Sequence, residues 1–154
     1  MDEVISALLV HDQAHHLLPV RQVLRVRRIE LVEVRSCQEA ATEIARAVPP
    51  HLVFTDVSLP DGTCLDIIRL ARQASLRVNV IVASRIAELG LYLEATEQGA
   101  FDFVDGSCVI SDLVYVVQHA AENAMELRSR VGRLHAELEE RSSPEKPMRG
   151  GCSI

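Results

Sequence analysis

Four short apolar runs punctuate the chain, at Ala7–Val10, Leu52–Phe54, Val80–Ala83 and Phe101–Val104, and three of them are rich in valine or isoleucine. Runs of this length and composition suit strands covered on both faces. Between them apolar residues recur at three and four, over Leu17–Val26, Ala40–Val48, Leu65–Ala71 and Ile86–Glu97, the spacing of amphipathic helices. A further strand is expected at Glu30–Arg35, where Glu30 and Glu33 interrupt the apolar residues as they would at a sheet edge. Strands alternating with helices imply a parallel sheet built of βα units. Pro49-Pro50 is expected to end the second helix, Pro60-Asp61-Gly62 to break the chain after the third strand, and Gly99 to stop the fourth helix. Pro19 falls inside the first helical pattern, so that helix either starts near His16 or is kinked in its first turn.

The last third differs. From Ser111 to Arg141 there is no proline and one glycine, Gly132, which allows a helix roughly 45 Å long at 1.5 Å per residue. Leu113, Val117, Ala120, Ala124, Leu127, Val131, Leu134 and Leu138 follow a four-three alternation, the seam of a coiled coil. Leu113–Ala121 is expected to cover its own domain. Beyond Leu127 the flanks are charged (Arg128, Arg130, Arg133, Glu137, Glu139, Glu140), and the seam is left to pack on a partner chain, making a homodimer through the C-terminal helix. The reading divides the chain into a domain over 4–122, a coiled-coil extension over 123–141 and a disordered tail over 142–154.

Composition narrows the function classes. The 154 residues suffice for one ordinary domain, and 48% hydrophobic with 25% charged residues describes a globular chain rather than a disordered or disulfide-stapled one. A formal charge of −6, from 16 Lys+Arg against 22 Asp+Glu, argues against a general nucleic-acid surface. With no Trp, 3 Phe and 2 Tyr there is no base-stacking platform. Cys37, Cys64, Cys108 and Cys152 show no metal or disulfide spacing, and the acidic Met1-Asp2-Glu3 is unlike a signal peptide. The longest apolar run, Leu113–Val117, is too short to span a bilayer. A cytoplasmic protein that neither crosses nor anchors in a membrane is the expectation.

In a parallel sheet, ligands gather at the carboxyl ends of the strands. Those ends carry His11 and Asp12, then Asp56 and Ser58, then Ser84 and Arg85, then Asp105 and Gly106. Two carboxylates on neighbouring strands, Asp12 and Asp56, are expected to hold a hard cation such as Mg²⁺, and Asp56 could then act as a nucleophile toward a phosphoryl group, with the Ser84 hydroxyl as donor to its new oxygens. The competing reading makes both aspartates caps of βα turns. His11, His15 and His16 read as a strand end and an exposed pair rather than a metal cluster, and Cys64 and Cys108 as small hydrophobes.

Leu-Leu-Val-His-Asp (8–12), Leu-Val-Phe-Thr-Asp-Val-Ser-Leu-Pro (52–60), Ile-Val-Ala-Ser (81–84) and Gly-Ala-Phe-Asp-Phe-Val (99–104) together resemble the receiver domain of two-component response regulators, over about residues 4 to 122. The resemblance implies a flavodoxin-like doubly wound α/β fold with strand order 2-1-3-4-5 and no enzymatic role. By position it makes Asp56 the phosphoacceptor, Asp12 a Mg²⁺ ligand, Ser58 a ligand through its backbone carbonyl, Ser84 the switch hydroxyl and Phe103 the switch aromatic. It also implies a histidine kinase or phosphotransfer protein as partner. Three departures stand against the pattern: the first of the usual two acids is His11, the region after the fifth strand, Asp105-Gly106-Ser107, carries no lysine, and Cys64 stands where a glycine is usual. Arg85 offers a substitute cation by adjacency alone, and the simpler reading makes it an ordinary surface arginine. These departures leave open a degenerate receiver that docks or dimerises without phosphorylation, and, more remotely, a small enzyme on the same fold.

Overall fold

Each of the apolar runs forms a strand of one sheet in the computed structural model, which describes residues 4–13, 17–85, 88–106 and 108–142. The main-sheet strands are β1 (Ser6–Val10), β2 (Glu30–Val34), β3 (Leu52–Asp56), β6 (Asn79–Ala83) and β7 (Asp102–Val104), all parallel and ordered β2-β1-β3-β6-β7. This is the expected 2-1-3-4-5 order, and β2 lies at the edge with Glu30 and Glu33 exposed. A two-stranded hairpin, β4 (Ser58–Leu59) with β5 (Gly62–Thr63), follows β3, and its tight turn is the Pro60-Asp61 pair. Strands of two residues carry no periodicity to read, so only the turn was foreseeable.

Alternation along the strands divides the core. Leu9, Phe54 and Ile81 face α1 (Leu18–Val26) and α5 (Ile110–Ser142), whereas Leu8, Val10, Val53, Val80 and Val82 face α2 (Cys37–Ile44) and α3 (Cys64–Arg72) and the single buried residue of α4 (Leu89–Gln98), Ala95. Pro19 lies in the first turn of α1, where its missing N–H is no loss, so the helix starts at Leu18 without an internal proline kink. The second helix departs from expectation at both ends. Ser36 caps it by accepting from the Glu39 amide, and it stops at Ile44, short of Pro49-Pro50, because Ile44 is its last buried residue and Val48 lies exposed. Thr63 and Asp66 form a reciprocal capping box on α3. Gly99 ends α4 in the left-handed conformation at φ 112°, as its position predicted.

α5 rests on the sheet through Leu113, Val117, Ala120 and Ala124. Arg128, read from sequence as one of the charged flanks of the seam, is instead buried at 7% exposure: its Nε donates to the Arg77 carbonyl and its Nη2 to the carbonyls of Pro49 and Pro50, at 2.8–2.9 Å. The aliphatic stem and planar fork of arginine let it close over three backbone acceptors at the sheet's amino edge. Earlier on the same helix, the Asn79 amide donates to the Ala120 carbonyl and to Asn123 Oδ1. The helix is thus fixed to the domain as far as Arg128. The tail over 143–154, the histidines His15 and His16, and Ser107 lie outside the described residues.

Candidate functional site

The carboxyl ends of β3 and β6 open into a shallow cavity of about 390 Å³ lined by Asp56, Val57, Ser58, Ser84 and Arg85. Register explains the meeting: Asp56 pairs with Ala83, so Ser84 stands one residue past the neighbour of the carboxylate. Asp56 is half-buried, and its Oδ1 accepts from the Val57 amide at 2.8 Å, which orients the carboxyl at the mouth of the strand. Val57 is held in turn, its carbonyl accepting from the Cys64 amide that opens α3. The Ser84 amide donates to the Val104 carbonyl at 2.9 Å, tying the end of β6 to the end of β7. Ser84 is therefore nearly buried at the wall of the cavity, and Ser58 and Arg85 are exposed at its rim.

Asp12 lies exposed in the turn after β1, the strand beside β3, and is not part of that lining. His11 turns the other way. Its Nε2 lies 2.9 Å from Glu33 Oε1 on β2, and Arg21 of α1 reaches the same oxygen at 2.6 Å. The Arg21 hydrogen bond is the main influence holding the Glu33 carboxyl below its ordinary range. So the residue that replaces the first acid serves the β1–β2–α1 junction. By chain position, Asp12 follows β1 and Asp56 ends the neighbouring β3, so two carboxylates lie at this end of the sheet, with the backbone of Ser58 just beyond Val57 in the chain. This donor chemistry fits Mg²⁺, which accepts one or two carboxylates and keeps water in its remaining positions. Among the described residues no three His, Cys, Asp or Glu side chains converge as a metal cage.

The lysine position has a structural counterpart. A Cβ at Gly106 would approach the Arg85 carbonyl oxygen to 2.7 Å, so the chain after β7 lies against the chain after β6 and leaves no room for a side chain. Arg85 is the guanidinium at the cavity rim, and the one lysine of the sequence is Lys146 in the tail. Phe103 sits half-buried on β7 with Tyr92 of α4 packed edge-on at 5.7 Å. Tyr92 was not anticipated: α4 buries only Ala95, so its ring shows no core periodicity in the sequence. Leu89 and Leu93 on α4 and Tyr115 on α5 are exposed. Burial pushes the Cys64 thiol up to about 11, in keeping with a small hydrophobe rather than a nucleophile.

Comparison with known proteins agrees with this architecture. The chain is 29% identical to the response regulator protein PilR of Pseudomonas aeruginosa over 103 residues, which are 64% of this chain and 22% of that protein. It is 27% identical to the regulatory protein LuxO of Vibrio cholerae over 123 residues, 80% of this chain and 27% of LuxO, so it spans only a minor part of both regulators. The chemotaxis protein CheY of Bacillus subtilis is 23% identical over 97 residues, 63% of this chain and 81% of CheY. Among solved structures, the signal receiver domain of a LuxO repressor from Vibrio parahaemolyticus superposes with a TM-score of 0.70 at 23% identity, covering 80% of this chain and 94% of that one. The receiver domain of an HD domain-containing protein from Pseudomonas fluorescens gives 0.74 at 20% identity, with 84% and 96% covered. These likenesses establish the fold, and a match to the response regulator receiver domain over residues 7–118 goes further: the chain belongs to that family.

Proposed function

We propose that this receiver accepts a phosphoryl group on Asp56 and relays it as a change of conformation and of binding. The observation that carries the reading is the shared cavity in which Asp56 and Ser84 stand one register step apart. A histidine kinase or phosphotransfer protein presents a phosphohistidine; an Asp56 oxygen forms the new P–O bond, the P–N bond breaks, and the departing imidazole takes up a proton. Asp12, Asp56 and the Ser58 carbonyl are the groups that would hold Mg²⁺, which would neutralise phosphoryl charge when bound. The Val57 amide keeps the carboxyl pointed outward. The Ser84 hydroxyl donates to a phosphoryl oxygen, and Arg85 at the rim supplies the cation that lysine supplies elsewhere in the family.

Movement of Ser84 pulls on the Val104 carbonyl and so on β7, whose Phe103 abuts Tyr92. The face made by α4, β7 and α5, with Leu89, Leu93 and Tyr115 exposed, is the surface whose binding changes. The protein acts as a cytoplasmic signalling module and not as an enzyme, and it dimerises through α5. Incubation with Mg²⁺ and acetyl phosphate, read by intact mass, tests the central step. One added phosphoryl group is expected, labile and absent in Asp56→Asn.

A second reading has its own observation. His11 is committed to Glu33, which Arg21 also engages, so the site has one acid fewer than its relatives' pattern, which favours a receiver that docks or dimerises without phosphorylation. No adduct, with no Mg²⁺ binding by calorimetry, would establish that alternative.

A further inference from the structure

α5 leaves the domain with an apolar face uncovered. Val131, Leu134 and Leu138 are 43%, 55% and 51% exposed, on a helix that is described without a break from Ile110 to Ser142. At about 100° per residue, Val131 returns to the direction of Leu113 and Leu138 lies within about 20° of it. The exposed seam therefore continues the face that rests on the sheet. Where the seam leaves the domain there is a groove of about 440 Å³, floored in part by Ile68, Ala71 and Leu127 and rimmed by Arg72, Arg77 and Arg130. The far end of the same helix carries the opposite charge, at Glu137, Glu139 and Glu140.

We propose that the seam pairs antiparallel with α5 of a second copy, so that the acidic end of each helix is seated at the arginine-rimmed groove of the other. This rests on the homodimer reading above and adds its direction and contacts. With Val131 of one copy layered on Leu134 of the second, Leu127 falls on Leu138, and every layer between them is apolar. Heptad geometry then sets Arg130 opposite Glu137 on both flanks of the pair. Parallel pairing would instead set Arg130 beside His135 and Glu137 beside Ser142, with no opposite charges matched.

Space favours the same direction. Paired helices lie about 10 Å apart. Because the seam continues the sheet-facing side of α5, a parallel pair would drive both domains into the gap between the helices. An antiparallel pair places the domains at opposite ends.

Sedimentation of the whole chain across about 1–100 µM, with far-UV circular dichroism as a check on helix content, tests this. Arg130→Glu and Glu137→Arg are each expected to weaken the dimer about tenfold, since each replaces two attractive pairs by two repulsive ones. The double variant should return to within about threefold of the wild type, because it restores both pairs with signs exchanged. Single variants that dimerise like the wild type, or a double variant that stays weak, overturn the antiparallel register while the homodimer stands. A wild-type monomer throughout, or a dimer untouched by Leu134→Asp, overturns the homodimer through α5 and this proposal with it.

Discussion

The two ends of the sheet treat their polar residues in opposite ways. At the amino end, three polar side chains are engaged inside the protein: Asn79 holds Ala120 and Asn123, Arg128 closes over three carbonyls, and His51 Nδ1 accepts from the Ser6 amide. At the carboxyl end Asp12 and Ser58 are exposed, while Asp56 and Ser84 border an open cavity. Buried polar groups remain in proteins when they are satisfied internally, and in parallel sheets ligands gather at the carboxyl ends of the strands. Stability should therefore reside at one end and chemistry at the other.

Substitutions can break that division. Asp56→Asn should abolish labelling by acetyl phosphate while shifting thermal unfolding by only a few degrees, because the site amide can still accept from Val57; scanning calorimetry beside intact mass checks both halves. Arg128→Met should do the reverse. It strands three backbone acceptors, costing about 3–5 kcal/mol or roughly 6–15 °C in Tm, with labelling of the folded protein unchanged. Asn79→Ala should cost about 2 kcal/mol by urea titration, again with labelling intact. Glu33→Gln is the smallest, at about 1 kcal/mol or less, since this pair is partly solvated. Its effect has a direction in pH. Because Glu33 is held below its ordinary value of 4.5, its contribution is complete above that value and disappears as the pH falls through the lower folded one, so variant and wild type should converge in acid. An amino-end variant that lost labelling, or an Asp56→Asn protein that melted far below the wild type, would show that the two ends are coupled.

Much of the fold was legible because the strands are buried on both faces and so appear as unbroken apolar runs. The edge position of β2 followed from Glu30 and Glu33 by the same logic. Helix ends were less legible. Pro49-Pro50 suggested the end of α2, yet the helix ends where burial ends, at Ile44, and it begins at a Ser36 cap that a periodicity argument does not weigh. The candidate site was legible as a set of strand-end residues, and Asp56 and Ser84 do meet. The direction of His11 was not, because a histidine at a strand end has no preferred partner until β2 brings it Glu33, which Arg21 of α1 also engages.

The alternation of strands and helices, the placement of acids at strand ends and the long apolar seam can be read along the chain, because these are periodic or positional and local. Which of those residues are spent on the fold depends on how the elements pack. Arg128 looks like any surface arginine in a heptad, and becomes a clamp because Pro49, Pro50 and Arg77, 51 to 79 residues away, present their carbonyls to it. Contacts at such separations depend on how elements pack, and no local pattern encodes them.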